Sequence, residues 1–189
     1  MKYLITALIA LLLAHSSKAQ TFDLKNKKQQ LEWTGKAAFK AYSLTGTLNV
    51  EKGTIKITDN TITKLEIVVN MKSLDHDNGD LKSHLRGADF FNVNRYKKAA
   101  FRLSKPVSLD KESSVLAGMM TIKEKTHGEN IEVIISRSEN TITLSFDHTM
   151  DRTTYGIKYN SPSFFKSLKQ NAIADEFSLK GKLEFKKDN

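Results

Sequence analysis

The chain reads as an all-β protein: an antiparallel β-barrel of about eight strands, capped at its ends by one or two short helices. Three features of the sequence lead there. Apolar side chains recur with period two along seven or eight segments, the mark of strands that bury one face. The stretches between those segments carry little helical patterning, which argues against the crossovers of a parallel sheet. Several segments are long, such as "TKLEIVVNM" (63–71) and "DEFSLKGKLEF" (175–185). With one apolar face per strand, those faces must meet, either by stacking two sheets or by closing one. Closure is favoured, because long strands left unpaired at an edge invite aggregation.

Residues 1–19 carry the marks of a cleaved secretory signal peptide. Lys2 is the positive n-region, "YLITALIALLLA" (3–14) the apolar core, and Ser17 and Ala19 the small residues at −3 and −1. The apolar run is too short to span a bilayer. Cleavage after Ala19 leaves 20–189 as one domain, expected to be periplasmic or secreted. No linker divides it, and its only prolines are Pro106 and Pro162.

The first alternating row is Leu44, Leu48 and Val50, and Ile55 and Ile57 follow beyond "EKG" (51–53), a polar connection suited to a hairpin. Leu65, Ile67, Val69 and Met71 form the next row. "NGDLKSHLRG" (78–87) breaks the alternation and reads as a short helix, with Asn78 as N-cap, Asp80 in the first turn and Arg86 near the end. Gly87 is placed for a left-handed C-terminal cap. The adjacent Phe90 and Phe91 fit neither a strand nor a narrow helical stripe. On a segment crossing to the strand near Ala99, one ring can close the barrel's end while the other fixes the helix. Leu116, Met120 and Ile122 come next, then Ile131, Val133 and Ile135. "SEN" (138–140) is a second polar connection, leading to Ile142, Leu144 and Phe146. "SPSFFKSLKQN" (161–171) suits a second helix, and Phe177, Leu179, Leu183 and Phe185 close the set. Gly46, Gly118 and Gly181 fall in inward rows, where a glycine marks either a bend at a barrel corner or space left along the axis.

The formal net charge is +9, and +7 once Lys2 and Lys18 are removed with the signal (9 − 2). A basic chain often binds nucleic acid, but export argues against that partner. The charges are scattered, and no stretch interleaves basic with aromatic residues. A solvated basic surface is the plain reading, with transient attraction to anionic membrane surfaces the second. The chain has no cysteine, so it offers neither a lipoprotein anchor nor a disulfide. Burial alone must hold the fold.

Catalytic chemistry is hard to find. No serine sits in a Gly-x-Ser-x-Gly turn. "DHDNGD" (75–80) fails as a calcium loop because Gly79 is fifth, not sixth, and Arg86 stands where the twelfth-position glutamate belongs. His76, Asp80 and His84 are spaced for one helical face, but Asn78 and Gly79 end the helix before His76, so no metal is expected. His148 continues the apolar row of Phe146, as a hydrogen-bonded core residue or a general base without a visible partner. Arg152 ends the same strand; such an arginine either pairs with an acid or meets a polar ligand head.

The landmarks stand in a familiar order: "LEWTGK" (31–36), "GTIKI" (53–57), "HLRGADFFNVNRYKKAAF" (84–101), "GMMTIKEKTH" (118–127), "MDRTTYGI" (150–157) and "FSLKGKLEF" (177–185). Over the whole mature length this resembles the YceI-like family of exported polyisoprenoid-binding proteins. The resemblance implies a lipocalin-like barrel holding a long isoprenoid or other aliphatic chain, with no catalysis and no cofactor. Glu124 stands where the family often has glycine, and Lys82 where it often has an acid. The inward rows then supply the lining: Leu48, Ile55, Ile57, Leu65, Ile67, Val69, Phe90, Phe91, Met120, Ile122, Val133, Ile135, Leu144, Phe146, Leu179 and Leu183, with Arg152 as a candidate head-group contact. A solid-core envelope interaction or inhibitor module is the alternative. A lipid-active isomerase or hydrolase would need His148 or His84 to face the cavity. The sequence is compatible with a dimer.

Overall fold

The computed structural model describes residues 19–24, 29–39, 41–168 and 171–188. The expected signal peptide, apart from Ala19, lies outside the described residues. The described residues form ten strands: β1 (Gln20–Leu24), β2 (Gln30–Ala37), β3 (Ser43–Thr58), β4 (Thr61–Asp75), β5 (Lys98–Leu103), β6 (Val107–Ser108), β7 (Ser113–Ile122), β8 (Lys125–Arg137), β9 (Thr141–Asp151) and β10 (Ile173–Lys187). One helix, α1 (Gly79–Arg86), lies between β4 and β5.

Eight of these strands close into the expected antiparallel barrel, in the order β2-β3-β4-β5-β7-β8-β9-β10 and back to β2. β6 extends the neighbourhood of β4 by two pairs. β1 fills the wall where β2 is absent: β2 pairs with β3 at Ser43–Asn49, whereas β1 pairs with it at Thr54–Ile57. Between them the Gln29 side-chain amide stands in for a peptide unit. Its Nε2 donates to the Glu184 carbonyl and its Oε1 accepts from the Glu184 N–H, both at 2.8 Å.

"EKG" is not a hairpin. Residues 51–53 lie inside β3, at a register shift between the Val50 and Lys52 pairs. The inward row changes parity there, from Leu48 and Val50 to Ile55 and Ile57, because one extra residue is inserted. A bulge and a turn both flip parity, which is why the sequence misleads. The true hairpin is Asp59–Asn60, with φ of 48° and 60°, the left-handed pair of a two-residue turn.

Helix α1 begins as expected, with the Asn78 side chain accepting from the Leu81 N–H at 3.0 Å. Gly87, however, is extended (φ −73°, ψ 177°), and its own N–H bonds back to His84 O, so the helix ends without a left-handed residue. The second expected helix is absent among the described residues. After Ser161 the chain makes successive turns, with Phe164 and Phe165 N–H groups both donating to the Ser161 carbonyl.

The barrel has two unlike ends. At one, Phe22 from β1, paired across from Ile55, is fully buried, as are Ile62, Ile142, Leu183 and Phe185 of the same core. At the other stand α1, the crossing segment 87–97, residues 38–39 and 41–42, and residues 152–168 and 171–172.

Candidate ligand-binding cavity

A cavity of about 80 Å³ runs along the axis in the half of the barrel away from the Phe22 plug. Leu48, Ile67, Val69, Phe91, Met120, Ile122, Val133, Leu144, Phe146 and Leu179 line it. Further apolar lining comes from Leu31, Trp33, Met71, Ala99, Phe101 and Phe177, among others, with His148 the one ionisable contributor among the described residues. Ile55, Ile57, Leu65, Ile135 and Leu183 also point inward but do not reach the void; they are buried around the closed end. Alternation alone assigns a face, not a height along the axis, so it could not separate these groups.

A second, wider pocket of about 270 Å³ lies under α1 and the 171–177 chain. Trp33, Phe91 and Phe177 line both spaces and so mark the neck where the two meet. The two rings of the crossing segment divide their work. Phe91 stands at the neck, while Phe90 lines only the outer pocket, packed on His84 (5.3 Å) and Tyr159 (5.3 Å). Lys123 fixes this segment by donating its Nζ proton to the Phe90 carbonyl at 2.5 Å. Burial holds the Lys123 ammonium below its usual pKa, reinforced by Lys125 and opposed by Asp89.

Arg152 borders the outer pocket and is almost wholly buried. Its Nε, Nη1 and Nη2 donate to the carbonyls of Ala174, Ile157 and Ile173 at 2.8–2.9 Å. Asp175 lies 3.6 Å away, and the ring of Phe90 sits 5.8 Å from the guanidinium carbon. Burial lowers its pKa, and Asp175 and Asp151 oppose that. Much of the fork is therefore spent on joining β9's end to β10's start. Among the described residues, the Trp33 indole N–H at the neck is buried without a hydrogen-bond partner.

Sequence reasoning missed Glu129. It shares the inward parity of Ile131 and Val133, and that was the available signal. Its Oε2 is 3.0 Å from His148 Nε2, and its Oε1 accepts from the Tyr155 hydroxyl at 2.7 Å. These contacts hold a seam that the backbone does not. The β8–β9 ladder covers only Ile134–Arg137 against Ile142–Ser145, although β8 starts at Lys125 and β9 continues to Asp151. His76 and His84 serve packing: His76 Nδ1 accepts from the Asn78 N–H, and the His84 ring meets Tyr159 at 4.6 Å. Among the described residues no three His, Asp or Glu side chains converge as a metal site.

The inward glycines open no room for a ligand. A Cβ on Gly46 would lie 2.5 Å from the Trp33 ring, on Gly118 2.3 Å from Phe101, and on Gly181 2.8 Å from Phe146. Each glycine seats an aromatic ring from a neighbouring strand, directly across the ladder for Trp33 and Phe146. None marks a break in its own pairing with that strand.

A closed antiparallel sheet around an internal apolar cavity defines a lipocalin-like barrel. The chain belongs to the YceI-like family, whose domain matches residues 22–185. Solved structures share the fold at low identity. A polyisoprenoid-binding domain from Saccharophagus degradans superposes with TM-score 0.66 at 12% identity, covering 88% of this chain and 98% of that one. Burkholderia cenocepacia BcnA gives 0.60 at 15%, covering 82% and 95%. The Campylobacter jejuni YCEI protein gives 0.55 at 16%, covering 100% and 90%. Comparison with individually curated proteins gives no significant match.

Proposed function

We propose that this protein binds a polyisoprenoid or similar long-chain lipid inside the barrel and carries or stores it outside the cytoplasm, after loss of residues 1–19. The observation that carries this reading is the apolar cavity, which meets an outer pocket at Trp33, Phe91 and Phe177. Family membership supports a lipid ligand. The tail enters past the neck and gains from area removed from water, about 25 cal/mol per Å² before ordering costs. The axial void is narrow, so a chain is accommodated by side chains that turn aside; Met71, Met120 and Met150 are adaptable walls. A head group stays in the outer pocket, where Arg152 contributes positive charge more than a free hydrogen-bonding fork. No step in this scheme is catalytic: His148 and Glu129 serve the wall.

The rings seated on Gly46, Gly118 and Gly181 narrow the interior and favour a second reading, a filled barrel acting as an envelope interaction or inhibitor module. Two variants separate the readings. Leu144→Lys places a charge in the lining, and Ala99→Leu fills it with apolar volume. Both are expected to lose the lipid seen by mass spectrometry in a solvent extract of the wild type. A folded Ala99→Leu protein, verified by its melting transition, that keeps the full lipid load contradicts this lining.

A further inference from the structure

We infer that the mouth of the barrel docks on an anionic bilayer surface, so that lipid passes between membrane and cavity without crossing water. The argument starts from exposed aromatic side chains. Among the described residues these are Phe39 (66% exposed), Tyr42 (58%), Phe164 (48%) and Phe165 (50%). All belong to the end of the barrel that carries the outer pocket. The other large apolar residues left exposed, Val115, Met119 and Ile134, lie on the outer wall of β7 and β8. An exposed phenylalanine is unremarkable alone, but a rim that gathers every exposed Phe and Tyr ring among the described residues is a surface with a purpose.

The two segments that carry these rings are joined, and each is basic, although Asp80, Asp89 and Glu176 lie elsewhere at the same end. The Ala38 N–H donates to the Ala172 carbonyl at 2.9 Å, which ties the backbone next to Phe39 to the start of the chain leading into β10. Tyr42, Asn171 and Ala172 line the outer pocket itself. Residues 36–42 contain two lysines and no acid, and residues 157–172 contain three lysines and no acid. Lys36, Lys158 and Lys166 are exposed and make no ion pair among the described residues. Lys158 Nζ lies 4.2 Å from the centroid of the Phe164 ring. Rings that settle at head-group depth, beside lysines that meet anionic phosphates, are the elements of peripheral membrane binding. A second copy of this chain is a poorer occupant, because two such basic rims repel.

This inference rests on the lipid-binding reading, and its test is separable from that reading. Mature protein is floated with vesicles of phosphatidylglycerol and phosphatidylcholine in equal amounts, and with phosphatidylcholine alone. The wild type is expected to float with the anionic vesicles and to be released by salt, since exposed charges are screened. The triple variant Phe39→Ser, Phe164→Ser and Phe165→Ser is expected to bind them about tenfold more weakly or worse. Its melting transition should stay cooperative and its co-purified lipid unchanged, because none of the three rings lines the axial cavity. Val115→Ser with Ile134→Ser should float like the wild type. A wild type that carries lipid yet ignores anionic vesicles overturns the docking surface and leaves lipid binding standing. A triple variant that floats normally overturns it too, including the case in which the substitutions only dissociate a dimer.

Discussion

Gly118 and Tyr155 illustrate how much single positions decide in this barrel. A methyl group at residue 118 would meet the Phe101 ring at 2.3 Å and the Arg102 carbonyl oxygen at 2.5 Å. Neither can retreat freely, since the ring is buried and the carbonyl belongs to β5. Gly118→Ala should therefore lower stability by about 1–3 kcal/mol in urea unfolding. Gly128→Ala, where nothing lies within 4 Å, should change it little. Equal effects at both sites would mean that the glycine does not seat the ring. Tyr155 makes a pH-dependent contribution. Burial and the hydrogen bond to Glu129 hold its pKa well above that of a free tyrosine. The fold favours the neutral phenol, so its contribution is complete below about pH 10, where the unfolded tyrosine titrates, and declines above it. Relative to Tyr155→Phe, the wild type should lose up to about 1.4 kcal/mol per pH unit above pH 10. An advantage that stays constant from pH 8 to 11 would show that the phenol is not held neutral.

Among the elements, the β7–β8 hairpin turns on two residues with positive φ, Lys123 at 50° and Glu124 at 60°. A glutamate in that region is strained, and the departure from the family's glycine gains a structural meaning there. Glu124→Gly should raise stability by about 1 kcal/mol in urea unfolding; a loss would mean that the carboxylate makes a compensating contact. Lys82, the other departure, pairs with Asp75 at 2.7 Å on the surface. Strand positions were legible because alternation directly reports which face is buried. The start of α1 was legible because Asn78 caps it through a local hydrogen bond. Turns and bulges were less so. "EKG" and Asp59–Asn60 differ in backbone angles that composition barely records, and Pro162 with Ser163 promises a helix that Phe164 and Phe165 do not continue. The seam between β8 and β9 was invisible, since it depends on where two strands part.

At the scale of the whole molecule, the barrel is a dry plug at one end and a lined channel at the other. Phe22, brought in by β1 as a short second occupant of β2's place in the wall, makes the difference. Its row carried no alternation long enough to be read as a strand, so the asymmetry was not predictable. The same sequence pattern hence describes both Leu183, in the plug, and Leu179, in the channel. The polar groups nearest the channel, His148 and Glu129, face each other across strands that do not pair there. The rim beyond them gathers the exposed aromatic residues. In the proposed function all of this organises one event, the passage of an apolar chain into the barrel. Native mass spectrometry of the mature protein, purified from its natural source without detergent, tests it most directly. The account predicts one long-chain lipid bound per barrel, released as the collision energy is raised. A protein that appears only at its unliganded mass in repeated preparations would contradict it.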